Sequence, residues 1–226
     1  MNVEEFSEQM KILLKPIYLD KGEVIYSKSS TFKKGKYYLI GLNPGCFNND
    51  DFTVGKCVEG FVNDQNNPNY YIDTLGELNK NVSQLFSKDY FNYNFEKVFT
   101  TNLIFTTTKN SNEIKSYKRL VDICWPVHQL ALKEVNPEVI ICIGNGYRSS
   151  YAKFHKEFST SNEIWKRRVF GTFSVKIEEI SFENDSKKHL LIGLPHLSWI
   201  KDFDKSLGSI IRDLMVKYYT YFIEGE

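Results

Sequence analysis

Much of what makes a function legible at sight is missing from this chain of 226 residues. It has only four cysteines, Cys46, Cys57, Cys124 and Cys142, and no two of them stand in a C-x-x-C spacing. That pattern argues against a zinc or iron–sulfur site. No apolar run approaches the roughly 18 residues of a membrane span, and Glu4 and Glu5 stand where a targeting segment would be basic. The expectation is a cytoplasmic protein with reduced thiols and no membrane partner. An excess of one charge is missing too: 29 Lys and Arg face 28 Asp and Glu, so any polyanion must be held by local patches. The phosphate loop G-x-x-x-x-G-K-[ST], the metalloprotease H-E-x-x-H and the nucleophile elbow G-x-S-x-G do not occur. Gly144-Asn145-Gly146 lacks the third glycine of a dinucleotide loop and reads as a tight strand-to-helix turn. Asp50-Asp51 and Asp202-x-Asp204 read as solvated loop groups, so neither a metal nor a cofactor is expected.

What is present is core-forming material: 42% hydrophobic and 15% aromatic residues, enough for one sizeable core and short for two. A single domain spanning residues 1–226, acting as a monomer, is expected. Helical spacing of Phe6, Met10, Ile12, Leu13 and Leu14 predicts a first helix over about 3–14, followed by a strand over 37–42. The polar stretch from Asn43 to Pro68 is long for a structureless connection, which suggests a functional loop. A helix over 70–86, a strand over 97–105 and a helical stretch over about 113–135 come next; Pro126 predicts a kink or break in the last of these. Val139–Ile143 reads as a buried strand leading to a helix that ends near Phe158. Phe173–Phe182 alternates like a strand with one solvated face, Leu190–Leu194 is a fourth buried strand, and a last helix covers about 204–222. Fully apolar strands alternating with helices predict an α/β fold, a three-layer α/β/α sandwich around a mostly parallel four-stranded sheet.

In such sheets ligands bind beyond the carboxyl ends of the strands. Three of the predicted ends carry a polar side chain: Asn43, Asn102 and His196. Asn43 lies in Gly41-Leu42-Asn43-Pro44-Gly45, where Pro44 holds Asn43 out of helical geometry and the glycines permit a sharp turn close to a ligand.

Gly41-Leu42-Asn43-Pro44-Gly45 resembles the first motif of the uracil-DNA glycosylase superfamily, in particular its mismatch-specific, thymine and single-strand-selective branches. Thr101-Asn102-Leu103-Ile104-Phe105-Thr106-Thr107 is similar to the second-strand segment of the thymine branch, and Asn67-Pro68-Asn69-Tyr70-Tyr71 to its approach to the next helix. Pro195-His196-Leu197-Ser198 resembles the last-strand motif, with Leu197 standing where many members have proline. The resemblance spans residues 37–200 and implies a monofunctional pyrimidine-DNA glycosylase of the base-excision-repair type, without metal or cofactor, acting on a pyrimidine flipped out of DNA.

Hydrolysis of an N-glycosidic bond passes through a cationic sugar and an anionic leaving base, so the site needs a placed water and donors for that anion. The resemblance makes Asn43 the residue that places water, which an amide can do without acting as a general base. Asn102 would read the N3–H and O4 edge of uracil or thymine. His196 would stabilise the departing base as a neutral donor, with Ser198 beside it. Gly41, Leu42, Pro44 and Gly45 would line the base site, and Phe61, or else Phe47, would stack on the base. Trp199, Ile200 and Lys201 would meet DNA, the first two as wedges. Lys33, Lys34, Lys36 and the run Lys166-Arg167-Arg168 are the densest basic clusters available for phosphates. His128, His155 and His189 read as structural or surface residues. The competing reading is a catalytically inactive module that kept the fold and binds nucleic acid or another partner; a hydrolase of free nucleosides is a third.

Overall fold

The computed structural model describes residues 1–45, 52–64, 76–108, 114–160, 164–183 and 185–222. Its apolar runs become the strands of one mixed, mostly parallel α/β sheet: β1 (Tyr37–Gly41), β2 (Phe99–Asn102), β3 (Val139–Ile143), β4 (Trp165–Phe170), β5 (Phe173–Ser181) and β6 (Lys188–Leu194). The strand order is β2-β1-β3-β6-β5-β4. Six strands thus replace the expected four, because β5 pairs antiparallel with β6 and β4 pairs antiparallel with β5. The β1–β2 and β3–β6 pairs are parallel, and each strand in them except β6 is buried along its whole length, as a two-sided apolar run requires.

The chain divides into two compact units. In the first, residues 1–69 and 96–137, helix α1 (Val3–Leu13) starts at a reciprocal cap in which the Asn2 side chain accepts from Glu5 N and the Glu5 carboxylate accepts from Asn2 N. It buries Phe6 and Met10, and the Phe6 ring stacks on Phe32 at 4.1 Å. Helix α2 (Val54–Phe61), capped by Thr53, occupies part of the stretch expected to be a long loop. Segment 21–26 runs antiparallel beside β2: Tyr26 N donates to Thr100 O at 2.9 Å and Glu23 N to Phe105 O at 2.8 Å. It satisfies backbone groups on the side of β2 away from β1. A further helix of this unit, Tyr117–Val135, runs through Pro126 as one element, so the expected break does not occur. Its His128 is structural: Nε2 donates to Leu103 O at 3.2 Å, which leaves Nδ1 to accept from Tyr38 Oη at 3.0 Å.

The second unit holds residues 70–95 and 138–226. Helix α3 (Glu77–Leu85) is the described part of the helix expected from residue 70; Asn67–Tyr71 lies outside the described residues. Taking the Tyr117–Val135 helix as α4, the next is α5 (Ser150–Phe158), which lies so close to β6 that a Cβ on Gly193 would fall 2.4 Å from the Tyr151 ring. Glu178 of β5 is buried there, accepting from Tyr151 Oη at 2.6 Å, His155 Nδ1 at 2.8 Å and Ser159 Oγ at 2.7 Å. Three donors offset the loss of water around one carboxylate. The expected last helix is a π turn over Asp204–Gly208, then α6 (Ser209–Lys217) and a short 3-10 turn. Hairpin β4–β5 closes through Gly171, whose φ of +50° suits glycine in a two-residue turn.

Candidate functional site

In the first unit, register sets Gly41 of β1 opposite Asn102 of β2. Hydrogen bonding continues past both strand ends: Leu103 N donates to Gly41 O at 3.1 Å and Ile104 N to Leu42 O at 2.9 Å. The Leu42-Asn43-Pro44 loop is thereby tied to the segment that follows Asn102. Leu42 and Asn43 are half-buried, Gly41 and Pro44 are buried, and Gly45 is exposed.

The Asn43 side chain is fixed by two bonds from its NH₂ group, to Pro44 O at 2.8 Å and to Thr108 Oγ1 at 2.9 Å. A carbonyl oxygen can only accept, so the Pro44 bond decides which end of the amide is nitrogen. The other end, Oδ1, accepts nothing among the described residues. Bonding to Pro44 and to Thr108 therefore consumes only the donor half of Asn43. What remains is an oriented acceptor, the group that holds a water by one of its hydrogens.

Asn102 differs. Its side chain is only 3% exposed, and its amide makes no hydrogen bond among the described residues. Its neighbour Thr101 is satisfied, donating through Oγ1 to Val24 O at 2.6 Å. Its amide atoms are not among the described polar atoms sealed from solvent without a partner, so both its donor and its acceptor stay open to solvent.

Glu23, a residue that the sequence reading passes over, belongs to the same unit. It is 5% exposed, and burial pushes its carboxyl up to about 8, opposed by a hydrogen bond from Tyr26. It is therefore mostly protonated at neutral pH. The signal was available: a single acid ahead of the apolar run Val24-Ile25-Tyr26. Burial also pushes the Cys57 thiol up to about 12, helped by Glu23, and Cys57 Sγ donates to Gly22 O at 3.4 Å. A thiol in that state is a core group and not a nucleophile.

The remaining stacking candidates fare unequally. Phe61 is 3% exposed and packs edge-on against Phe6 at 6.1 Å, so it belongs to the core and offers no open face to a base. Phe47 lies outside the described residues.

His196 belongs to the second unit, where it precedes the short turn Leu197–Trp199 after β6. Its Nδ1 is 2.7 Å from Ser198 Oγ and its ring lies 5.6 Å from the Trp199 ring. Burial holds its pKa below 6.5, which favours the neutral ring. The bond between Nδ1 and Ser198 Oγ can run in either direction; when the hydroxyl donates, the ring proton sits on Nε2, which has no partner among the described residues. Leu197, in the place of the motif proline, is fully buried. Ile200 is fully buried as well, which rules it out as a wedge into DNA; its carbonyl accepts from Asn81 Nδ2 at 2.7 Å. Trp199 is 55% exposed and Lys201 is exposed.

Among the described residues no three His, Cys, Asp or Glu side chains group in a way that could hold a metal ion. No helix among them is long and apolar enough to cross a membrane. No protein-family model matches the chain, and no curated protein matches it either.

Proposed function

We propose that the protein is a monofunctional DNA glycosylase that hydrolyses the N-glycosidic bond of uracil or another mismatched or modified pyrimidine, on a three-layer α/β/α scaffold in the cytoplasm. The observation that carries this reading is the buried Asn102 amide without a partner, one strand away from the loop that orients Asn43. A pyrimidine with an N3–H donor flanked by carbonyl acceptors is the complement of one carboxamide, which gives and takes a hydrogen bond in a single plane. Asn43 Oδ1 accepts from a water and directs its lone pair at the sugar carbon as the base departs. Because the amide does not titrate, it does not deprotonate that water, and the chemistry relies on the base leaving first with its negative charge stabilised. His196 is the donor that the resemblance assigns to that charge; burial favours its neutral ring, and the tautomer with the proton on Nε2 is the one that would serve.

The reading is tested by incubating the protein with end-labelled oligonucleotides that carry uracil, a G·T mismatch or 5-modified pyrimidines, then cleaving abasic sites with alkali. Strand cleavage on at least one substrate is expected. Cleavage on none, from folded protein, removes the enzymatic reading. Substitution of the motif proline by the buried Leu197 favours the alternative of a binding-only module, which predicts that Asn43→Ala binds oligonucleotide like its parent while neither yields product.

A further inference from the structure

The second unit exposes a run of aromatic rings that the first unit's site does not use. Phe170 and Phe173, opposite one another at the tip of the β4–β5 hairpin, have ring centroids 4.8 Å apart. Phe173 lies 5.0 Å from Trp199, and Trp199 lies 5.6 Å from His196. Phe170 is 36% and Trp199 55% exposed, so the ladder is open to solvent at the hairpin and at the turn after β6.

The hairpin strand itself carries charge of one sign. β4 and its turn, residues 165–172, contain Lys166, Arg167 and Arg168 and no acid. Elsewhere in this unit lysines sit against carboxylates: Lys153 with Glu157 at 2.7 Å, Lys187 with Glu138 at 3.2 Å and Lys188 with Glu179 at 2.9 Å. Lys166, Arg167, Arg168 and Lys201 have no carboxylate partner among the described residues. Lys166 also stands directly across the hairpin from Lys176, whose Nζ donates to Asn145 O at 3.0 Å and leaves Lys166 without such a partner. Arg167 lies 5.5 Å from the Trp165 ring, which presents its guanidinium beside a further aromatic face. Cations on an edge strand can serve simply to prevent strand-to-strand aggregation. That purpose does not call for an exposed Trp and Phe next to them, which work against it.

We propose that the β4–β5 hairpin and the turn after β6 form a binding surface for single-stranded nucleic acid, with bases stacked on Phe170, Phe173 and Trp199 and phosphates held by Lys166, Arg167, Arg168 and Lys201. Ring faces are of use only to bases whose own faces are free, which selects a single strand over a duplex. The inference deepens the nucleic-acid reading above by naming the strand state, and it requires no excision for its test.

The full-length protein is titrated into fluorescein-labelled oligothymidine, into a duplex of equal length and into labelled poly-glutamate, each at low and moderate salt. The single strand is expected to bind more tightly than the duplex, and poly-glutamate to bind weakly. Trp199→Ala combined with Phe170→Ala weakens single-strand binding about ten-fold or more and leaves its salt dependence in place. Arg167→Gln combined with Arg168→Gln instead flattens the logarithmic salt slope, by about 0.7 for each phosphate that is no longer neutralised. Unchanged melting curves establish that each variant is folded, and quenching of tryptophan fluorescence by unlabelled strand that falls in Trp199→Phe reports stacking independently. The proposal is overturned if the aromatic pair binds like its parent, if the duplex binds as tightly as the strand, or if poly-glutamate competes equally. Ladder-dependent binding without excision leaves this surface standing and removes the glycosylase reading; excision with ladder-independent binding does the reverse.

Discussion

Asn81 and Asn102 are 1% and 3% exposed and are used in opposite ways. The Asn81 NH₂ group donates to Leu197 O at 2.8 Å and to Ile200 O at 2.7 Å, closing the turn that carries His196 and Trp199. Asn102 bonds to nothing among the described residues. Similar burial of the same side chain thus goes with an amide closed by partners in one unit and an amide left open to solvent in the other; only the presence of partners separates them. Asn43 lies between these extremes, with its donors satisfied by the loop and its acceptor open.

The sharpest way to break this comparison is at Asn43. If its open Oδ1 places the attacking water, Asn43→Ala lowers the excision rate on uracil oligonucleotides about 100-fold or more, while the melting temperature falls by only a few degrees from the two missing loop bonds. Equal excision by both proteins would show that the oriented acceptor has no catalytic role.

Glu23 extends the comparison to a buried group with one partner. Its carboxyl is raised to about 8 in the fold against an ordinary 4.5, so the folded protein binds more protons than the unfolded chain between those values. Its contribution to stability is complete below about pH 4.5 and is lost as pH rises through about 8. Melting temperatures measured from about pH 5 to 8.5 should therefore decline in the parent and stay flatter in Glu23→Gln, the two curves separating most at the alkaline end. Parallel curves would contradict the buried, protonated carboxyl.

Asn81→Ala is expected to cost about 2–4 kcal/mol, because it leaves two buried carbonyls without a donor. Urea denaturation measures it directly. The smallest effect is expected at His196. Burial holds the ring's pKa below 6.5, so the neutral form persists as pH falls and excision should remain level through pH 6.5, declining only in more acid solution, where a protonated Nδ1 can no longer accept from Ser198. A profile that rises as the ring protonates would indicate that the imidazolium is the working form.

Most of the scaffold could be read from local pattern. β3 has the expected bounds, and β1 and α1 end one residue short of them, because two-sided apolar runs and helical spacing are properties of neighbouring residues. β4 was hidden for a physical reason: on an edge strand half of the ladder faces solvent, so Lys166-Arg167-Arg168 interrupts the alternation that would reveal it. The two-residue turn at Gly171 between Phe170 and Phe173 was the available signal. The break that Pro126 allowed does not occur, since a long amphipathic face packed in the core can hold a helix through one missing N–H. At the site, the strand-end position of Asn102 was legible, but its lack of a partner was not, because hydrogen-bond accounting depends on residues distant in sequence. Phe61 and Ile200 were misread on the same ground: an aromatic or apolar residue near a motif looks alike in sequence whether it faces a pocket or the core.

The central claim is that Asn102 is held for a ligand and not for the fold, and one paired measurement on Asn102→Ala addresses it: the thermal midpoint, and excision from a uracil-containing oligonucleotide. The midpoint is expected to stay within a few degrees of the parent or to rise, with excision reduced at least about 100-fold. A midpoint that drops as far as that of Asn81→Ala, with excision unchanged, would contradict the claim and return Asn102 to the core.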